Sequence, residues 1–148
     1  MTGAVLIRDV AASDRDAWLR LWAGYNAFYG TDVAPHISER TWQRMLDANV
    51  PLIGRVAEIE GRVAGFSLCV LHEGTWVDAP VCYLEDLFVD PACRGQGIGR
   101  RLIEDLVALA RSLGWSRLYW HTRIDNPARK LYDEFTAADD FVRYRLEF

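Results

Sequence analysis

The chain has 148 residues, of which 51% are hydrophobic and 26% are charged, and its formal net charge is −4. These values predict a single globular domain over residues 1–148 and exclude a disordered or fibrous chain. The negative balance, without a basic stripe, argues against nucleic-acid binding. No apolar run reaches membrane-spanning length, and the opening MTGAVLIRDV lacks the pattern of a signal peptide. We therefore expect a cytoplasmic protein without nucleic-acid or membrane partners.

The first third of the sequence predicts one strand and two helices. The segment AVLIRDV, residues 4–10, has the β-branched content of a strand. Ser13, with Asp16 three residues later, approximates a capping box for a helix over residues 14–28. A second helix is expected over residues 38–47.

The middle of the sequence predicts three strands. The segments LIGRVAEI and VAGFSLCVL occupy residues 52–59 and 63–71, and Glu60-Gly61 between them predicts a tight turn. The segment VCYLEDLFV, residues 81–89, predicts the third strand.

The last third predicts two helices and two strands. Apolar residues recur at helical spacing over residues 98–113, and RLYWHT predicts a strand over residues 117–122. A short helix over residues 127–135 begins at its proline, and FVRYRLEF predicts a final strand over residues 141–148. The expected order is β-α-α-β-β-β-α-β-α-β, a mixed α/β pattern.

The segment CRGQGIGRRL, residues 93–102, places glycines at alternate positions where the 98–113 helix begins. The glycines are Gly95, Gly97 and Gly99, and the flanking arginines are Arg94, Arg100 and Arg101. A strand, a glycine-rich turn and a helix N-terminus together form an anion site, because unpaired amides and the helix dipole point outward. The spacing matches neither the dinucleotide-binding fingerprint nor the P-loop.

Several segments together resemble the GNAT family of N-acetyltransferases. The pattern Arg94-x-x-Gly97-x-Gly99 resembles the loop that binds the acyl-CoA pyrophosphate in that family. NPARKLY, residues 126–132, is similar to the family's asparagine, alanine and Leu-Tyr positions, and VCYLEDLFV to the strand before the loop. The resemblance covers most of the chain. It implies a central mixed, mostly antiparallel sheet flanked by helices, with the acetyl-CoA loop between a strand and the central helix.

A narrower similarity is visible near both ends of the chain. WLRLWAGYNAFYG and LYWHTRIDNPARKLYD resemble the fungal histone-and-polyamine acetyltransferase and its bacterial relatives, and LEDLFV with RGQGIG is similar to spermidine/spermine acetyltransferases. Many family members have Gly-Phe soon after the tyrosine helix, whereas here Phe135 is followed by TAADDF. The acceptor side near the C-terminus is therefore expected to differ.

The resemblance implies that acetyl-CoA is the co-substrate. Backbone amides of Leu87, Phe88 and Val89 would hold the pantetheine arm and polarise the thioester carbonyl, at a β-bulge that frees donors in this family. The other positions expected to contact acetyl-CoA are Arg94, Gly95, Gln96, Gly97, Ile98, Gly99, Arg100, Asn126 and Arg129.

No metal or disulfide is expected. The cysteines and histidines are Cys69, Cys82, Cys93, His36, His72 and His121. The cysteines are odd in number and lack CxxC spacing, and the histidines lack ligand spacing. Cys93 lies near the glycine loop without an identifiable base, so a packed thiol is the favoured interpretation.

Acetyl transfer to an amine requires a neutral amine, a stabilised oxyanion and a protonated leaving thiolate. By resemblance, Tyr132 is the general acid near the CoA sulfur, and a structural tyrosine beneath the cofactor is the alternative. A carboxylate is useful because amines with a pKa near 10.4 arrive protonated. Glu85, acting directly or through water, is the expected base by resemblance to polyamine acetyltransferases, and Asp86 is the alternative. Adjacent strand residues face opposite sides, so one carboxylate should face the acceptor and the other should be structural.

Aromatic residues recur at helical spacing near the N-terminus: Trp18, Trp22, Tyr25 and Tyr29. An aromatic core face is the favoured interpretation, and a cation–π wall for a cationic amine is the alternative. Asp32 and Glu39 could add negative charge to such a wall.

Residues 1–93 hold 7 basic and 13 acidic side chains, whereas residues 94–148 hold 10 and 8. This asymmetry suits a cationic substrate and an anionic cofactor, and an ordinary surface distribution explains it equally well. We expect an N-acetyltransferase that uses acetyl-CoA and acetylates the primary amine of a polyamine or amino-acid-like acceptor by direct transfer in a ternary complex. A homodimer is expected because family members associate. The alternatives are a protein-lysine acetyltransferase and a non-catalytic CoA-binding regulatory module.

Overall fold

The computed structural model describes residues 3–148 as a five-stranded sheet with four α-helices. The strands are β1 Val5–Asp9, β2 Leu52–Ile59, β3 Arg62–His72, β4 Val81–Val89 and β5 Arg117–Tyr119. The helices are α1 Arg15–Phe28, α2 Pro35–Leu46, α3 Ile98–Leu113 and α4 Arg129–Phe135. The predicted positions of β1 to β4, of α3 and of the end of α1 are confirmed to within one residue.

The sheet has the order β1-β2-β3-β4-β5. Neighbouring strands from β1 to β4 are antiparallel, and β4 and β5 are parallel. The expected mixed, mostly antiparallel sheet is therefore confirmed, and the glycine loop lies between β4 and the central helix α3. The turn between β2 and β3 is also confirmed, with φ of 51° at Glu60 and 75° at Gly61.

Helices cover both faces of the sheet. α1 and α2 pack against one face around Trp18, which is 1% exposed, and Phe66. α3 packs against the other face through Ile98, Leu102 and Leu106. Because both faces are covered, β3 is buried along most of its length and shows little alternation. Within residues 3–148, no helix is long and apolar enough to cross a bilayer.

The two N-terminal helices begin at other residues than predicted. α1 begins at Arg15 after a 3-10 turn, and the predicted capping box at Ser13 is wrong. Asp14 takes that role instead: its Oδ2 accepts from the Ala11 amide at 2.8 Å while Arg8 binds the carboxylate at 2.7 Å. α2 begins three residues early at Pro35, whose fixed φ suits a first helical turn.

The predicted final strand over residues 141–148 is wrong. These residues form neither strand nor helix, and their apolar side chains are exposed. The alternation of apolar and charged residues is typical of a strand, but a strand also needs a hydrogen-bonding neighbour. The sheet edge at β5 has only three residues, half of the predicted 117–122 segment, and offers little to pair with.

Candidate active site

The sheet opens into a cleft where β4 and β5 diverge. The two strands pair only from Val81 to Tyr83, so within residues 3–148 no strand pairs with residues 84–89 of β4 on that side. On the other side β4 remains paired with β3 as far as Val89. Unpaired backbone groups of a strand that still lies in a sheet are fixed in direction and free to bind a ligand.

The glycine loop begins just beyond the end of this open edge. Gly95 and Gly97 have φ of 80° and 77°, a left-handed conformation that favours glycine, and no other group lies within 4 Å of the position of a Cβ on either residue. The first hydrogen bond of α3 runs from the Arg101 amide to the Gly97 carbonyl at 3.0 Å. Within the described residues, no backbone amide from residue 95 to residue 100 donates to a protein acceptor. These six amides form a cradle for an anion.

The arginines around the loop have protein partners. Arg94 donates from Nε to the Val89 carbonyl at 3.2 Å, and its guanidinium lies 5.4 Å from the centre of the Phe88 ring. Arg100 pairs with Glu134 of α4. Arg101 donates to the Val5 carbonyl at 3.2 Å. Arg94 lines a cleft of about 220 Å³ against α1, whereas Arg100 ties α3 to α4.

α4 packs directly over the start of α3. A Cβ on Gly99 would lie 3.5 Å from Leu131, the residue before Tyr132. Tyr132 is partly buried and meets the edge of Trp120 at 5.6 Å. Burial, with a smaller effect of Tyr29, raises the pKa of Tyr132 to about 12, so its phenol is neutral at pH 7. The structure thus packs α4, the helix that carries the tyrosine selected from the sequence, against the start of α3.

Three other predicted contacts with acetyl-CoA have local structural partners. Asn126 stabilises the turn before α4: its Oδ1 accepts from the Ala128 amide at 3.0 Å and its Nδ2 donates to Thr122 at 2.7 Å. Arg129 donates to the Ile124 carbonyl at 2.7 Å, and Gln96 to the Cys93 carbonyl at 3.2 Å. The Ile98 side chain is buried in the core, so only its backbone faces the loop.

The two carboxylates of β4 lie at a β-bulge. Leu68 of β3 pairs with Asp86 and the next β3 residue, Cys69, pairs with Leu84, so Glu85 is an inserted residue. Leu84 and Leu87 both pack on the α3 side, and Asp86 contacts α1 on the other face. The argument that adjacent strand residues must face opposite sides therefore fails at this position, because a bulge interrupts the alternation.

Asp86 is the buried member of the pair and Glu85 is exposed. Asp86 is 8% exposed, and desolvation raises its pKa to about 7, with the charge of Glu85 adding to the rise. The Tyr25 hydroxyl donates to the Glu85 carbonyl at 3.3 Å, and its contact with the Asp86 carboxylate partly offsets the rise. Sequence reasoning missed this contact. The helical spacing of the α1 aromatic residues placed Tyr25 on the correct face, but nothing indicated its partner on β4.

The aromatic residues of α1 form a continuous stack that leads from the core to the site. Ring centres lie 5.1 Å apart between Trp18 and Trp22, 5.6 Å between Trp22 and Tyr25, and 5.0 Å between Tyr25 and Tyr29. Trp18 is core, as the favoured interpretation expected, whereas Tyr25 reaches the carboxylates of β4. Glu39 pairs with Arg15 and lies outside this stack.

The thiols are structural. Cys93 is buried, as expected, and Cys69 and Cys82 are free and buried beside each other, where burial and their mutual hydrogen bond raise the pKa of Cys69. Within residues 3–148, no group of three His, Cys, Asp or Glu side chains is arranged to hold a metal ion.

Comparison with known proteins decides the family. Residues 16–136 match the Acetyltransferase (GNAT) family. The chain belongs to this family. It is 32% identical over 144 residues to the D-amino-acid N-acetyltransferase HPA3 of Saccharomyces cerevisiae, which covers 95% of this chain and 89% of that protein. With such relatives over nearly its whole length, this GNAT chain is an N-acetyltransferase.

Two further comparisons are more distant. The thialysine N-epsilon-acetyltransferase of Mus musculus is 32% identical over 91 residues, which is 57% of this chain and 53% of that protein. The crystal structure of the ribosomal-protein-alanine N-acetyltransferase from Brucella melitensis biovar Abortus 2308 superposes with a TM-score of 0.81, covering 98% and 99% of the two chains at 23% identity. The last similarity shows the GNAT fold alone.

The donor of GNAT acetyltransferases, acetyl-CoA, fits the residues that surround the cleft. Six unpaired amides at a helix N-terminus suit a pyrophosphate, and the open space at Gly95 and Gly97 permits its close approach. The open edge of β4 suits an extended arm that carries amide groups.

Proposed function

We propose that this protein transfers the acetyl group of acetyl-CoA directly to the primary amine of a small cationic acceptor in a ternary complex. The observation that supports this proposal best is the arrangement along β4. The anion cradle lies at one end of the open edge, Leu131 of α4 packs on the cradle just before Tyr132 in sequence, and two carboxylates lie at a bulge farther along the strand. The donor and base positions therefore lie along β4 and just beyond its end, and α4, which packs on the start of α3, carries the acid.

The amides of residues 95–100 hold the pyrophosphate in this proposal. The dipole of α3 adds partial positive charge, and Arg94 and Arg100 add formal charge at the rim. The backbone of Leu87 to Val89, on the open edge of β4, binds the pantetheine arm and polarises the thioester carbonyl. Holding both reactants in line can contribute roughly 7–11 kcal/mol to catalysis, more than any single side chain.

Asp86 is the better proton acceptor of the two carboxylates. A base is most effective when its pKa lies near the working pH, and burial brings that of Asp86 to about 7. Glu85 is exposed at the bulge, where its negative charge attracts a protonated amine. We therefore propose that Glu85, the residue that the resemblance indicated as base, attracts the protonated amine. Asp86 accepts the proton of that amine, directly or through water.

Tyr132 protonates the leaving group. Acetyl-CoA supplies an acetyl group activated as a thioester. Asp86 first takes one proton from the ammonium, directly or through water, so that the neutral amine attacks the acetyl carbon. As the carbon–sulfur bond breaks, Tyr132 gives its proton to the sulfur. The second nitrogen proton then restores the Tyr132 phenol, and Asp86 releases its proton to solvent. Burial keeps this phenol neutral at pH 7, so the proton is present when the thiolate develops.

We infer a small cationic amine as acceptor from the charge of the cleft and from the substrates named for the relatives. D-amino acids and thialysine, named for two of the relatives, are small molecules that bear an amine. Two carboxylates and several aromatic rings at the cleft favour a cation.

The test is a product assay by mass spectrometry, which detects the acetylated amine directly. Acetyl-CoA is supplied with polyamines, both enantiomers of amino acids, lysine peptides and aminoglycosides. We expect acetylation of small cationic amines and a fall in kcat of about 10²- to 10⁴-fold in Tyr132→Phe with acetyl-CoA affinity retained. Acetylation of peptides alone would favour a protein acceptor. No product from any amine, despite tight acetyl-CoA binding, would favour the non-catalytic module.

A further inference from the structure

Four rings form a cluster beside the carboxylates of β4, on the sheet face opposite α3. We call it the ring cluster, and its members are His72, Tyr83, Tyr119 and His121. Tyr83 and Tyr119 stack with their centres 5.0 Å apart at 20°. His121 meets Tyr83 edge-on at 5.3 Å, and His72 meets Tyr119 edge-on at 5.8 Å. The residues next to each tyrosine in sequence pack towards α3. The rings therefore lie on the opposite face of the sheet, where Asp86 contacts α1.

Hydrogen bonds hold the rings in place while leaving them accessible. The Nε2 of His72 lies 2.8 Å from the Tyr119 hydroxyl, and the Nδ1 of His121 lies 3.3 Å from the Tyr83 hydroxyl. Both tyrosines are half-buried and both histidines are exposed. A half-buried pair of rings fixed at its hydroxyl ends presents an ordered aromatic surface to a ligand.

The carboxylates of β4 act electrostatically on the ring cluster. Besides burial, the charge of Glu85 raises the pKa of both Tyr83 and Tyr119, and Asp86 acts on Tyr83 in the same direction. Arg143 lowers the pKa of Tyr83, which shows that a guanidinium of the C-terminal segment already lies within electrostatic range of the ring. Aromatic faces beside carboxylates form a site that favours cations over neutral groups.

We propose that the ring cluster binds a second cationic group of the acceptor while the primary amine of that acceptor lies at Glu85 and Asp86. The proposal rests on the proposed function and adds that the preferred acceptor is a diamine or a basic amino acid. Tyr83 lies two residues before Glu85 on β4, and the charge of Glu85 raises the pKa of both Tyr83 and Tyr119. In this proposal a short diamine extends from the carboxylates to the rings. The cation–π contact to Tyr83 and Tyr119 therefore selects for a second charge.

The experiment compares two acceptors of equal length, 1,4-diaminobutane and 4-aminobutan-1-ol, which differ only in the second charged group. Kinetics are measured for wild type, Tyr83→Leu and Tyr119→Leu, with Tyr83→Phe and Tyr119→Phe as controls that keep the ring. We expect KM for the diamine to rise about 5- to 30-fold in the leucine variants and little in the phenylalanine variants. KM for the amino alcohol, and kcat for both acceptors, should stay within about twofold.

An equal rise in KM for the diamine and the amino alcohol would overturn the proposal, since a merely structural role of the tyrosines affects both acceptors alike. An unchanged KM for the diamine in the leucine variants would also overturn it. Calorimetric titration of the diamine into each protein with CoA present tests the cation subsite separately from the proposed acetyltransferase function. If wild type acetylates no amine, the proposed function fails, but diamine binding that the leucine variants lose still supports the subsite. Absence of diamine binding to wild type refutes the subsite whatever the turnover.

Discussion

At the scale of single residues, Asp86 governs the expected pH dependence of acetyl transfer. The base must be deprotonated to accept the ammonium proton, and the pKa of Asp86 is about 7. At saturating amine, kcat should therefore fall about tenfold per pH unit below pH 7 and level off above it. Asp86→Asn should lower the plateau about 10²- to 10⁴-fold and abolish this limb of the profile.

Glu85→Gln is the matched control for that experiment. Glu85 is adjacent in sequence and exposed, and its assigned role is attraction of the cation, so its variant should raise KM for the amine and keep the limb near pH 7. Stopped assays over pH 5.5–9 separate the two outcomes. If Glu85→Gln removes the limb and Asp86→Asn keeps it, the two roles are reversed.

The burial of Asp86 also lowers the free energy of unfolding at neutral pH. Below the ordinary pKa of 3.8, Asp86 is protonated in both the folded and the unfolded chain. As the pH rises towards 7, the unfolded chain loses this proton while the folded chain retains it, so stability falls. Asp86→Asn escapes this effect. The free energy of unfolding of Asp86→Asn minus that of wild type should therefore be roughly 3–4 kcal/mol larger at pH 8 than at pH 4.

Urea unfolding of both proteins at pH 4 and at pH 8 measures this difference. Glu85→Gln again serves as the control, because an exposed carboxylate in the same bulge should show little change. A constant difference between wild type and Asp86→Asn across the pH range would contradict the raised pKa.

At the scale of elements, the glycine loop can be tested against a turn with the same backbone geometry. Gly97 in the loop and Gly61 in the β2–β3 turn have φ of 77° and 75°, and no other group lies within 4 Å of a Cβ on either. Alanine at either position should destabilise the fold by a similar amount, about 1 kcal/mol. Only Gly97→Ala places a methyl group in the anion cradle.

We therefore expect the Kd of acetyl-CoA to rise about tenfold or more in Gly97→Ala and to stay within twofold in Gly61→Ala. Isothermal titration with acetyl-CoA measures both, and thermal unfolding checks that the two variants are equally stable. Equal affinities in the two variants would show that the pyrophosphate lies away from Gly97.

The elements that the sequence predicts correctly are those whose signals are local. Glu60-Gly61 requires positive φ, and the apolar spacing of residues 98–113 has the period of one helix face, so both features follow from neighbours in sequence. The glycine loop follows in the same way, since glycine at positions 95 and 97 satisfies a backbone conformation that other residues rarely adopt.

The features that could not be predicted depend on contacts distant in sequence. The bulge at Glu85 arises from its register with β3, so the alternation rule that assigned the two carboxylates to opposite faces does not apply there. The start of α1 depends on an ion pair from Arg8 to Asp14. The ring cluster joins β3, β4, β5 and the segment after β5, and no single stretch of sequence contains its pattern.

At the scale of the whole molecule, the C-terminal segment leaves apolar surface exposed. Val142, Tyr144, Leu146 and Phe148 alternate with charged residues, and all four are exposed. Contiguous apolar side chains in this pattern are typical of a strand with one buried face, yet within residues 3–148 this face is uncovered. A second copy of the chain brings an identical apolar segment, so we propose that the two segments pack on each other in the expected homodimer.

We therefore expect association that depends on this apolar face. Sedimentation velocity over a hundredfold range of concentration should show wild type converting from monomer to dimer. The triple variant Val142→Ser, Tyr144→Ser, Leu146→Ser should remain monomeric, because it removes most of the apolar area that association would bury. Its matched control carries serine at the interleaved charged positions Arg143, Arg145 and Glu147, and should still associate. A wild type that stays monomeric at every concentration, or a control as dissociated as the triple variant, would show that this face does not mediate self-association.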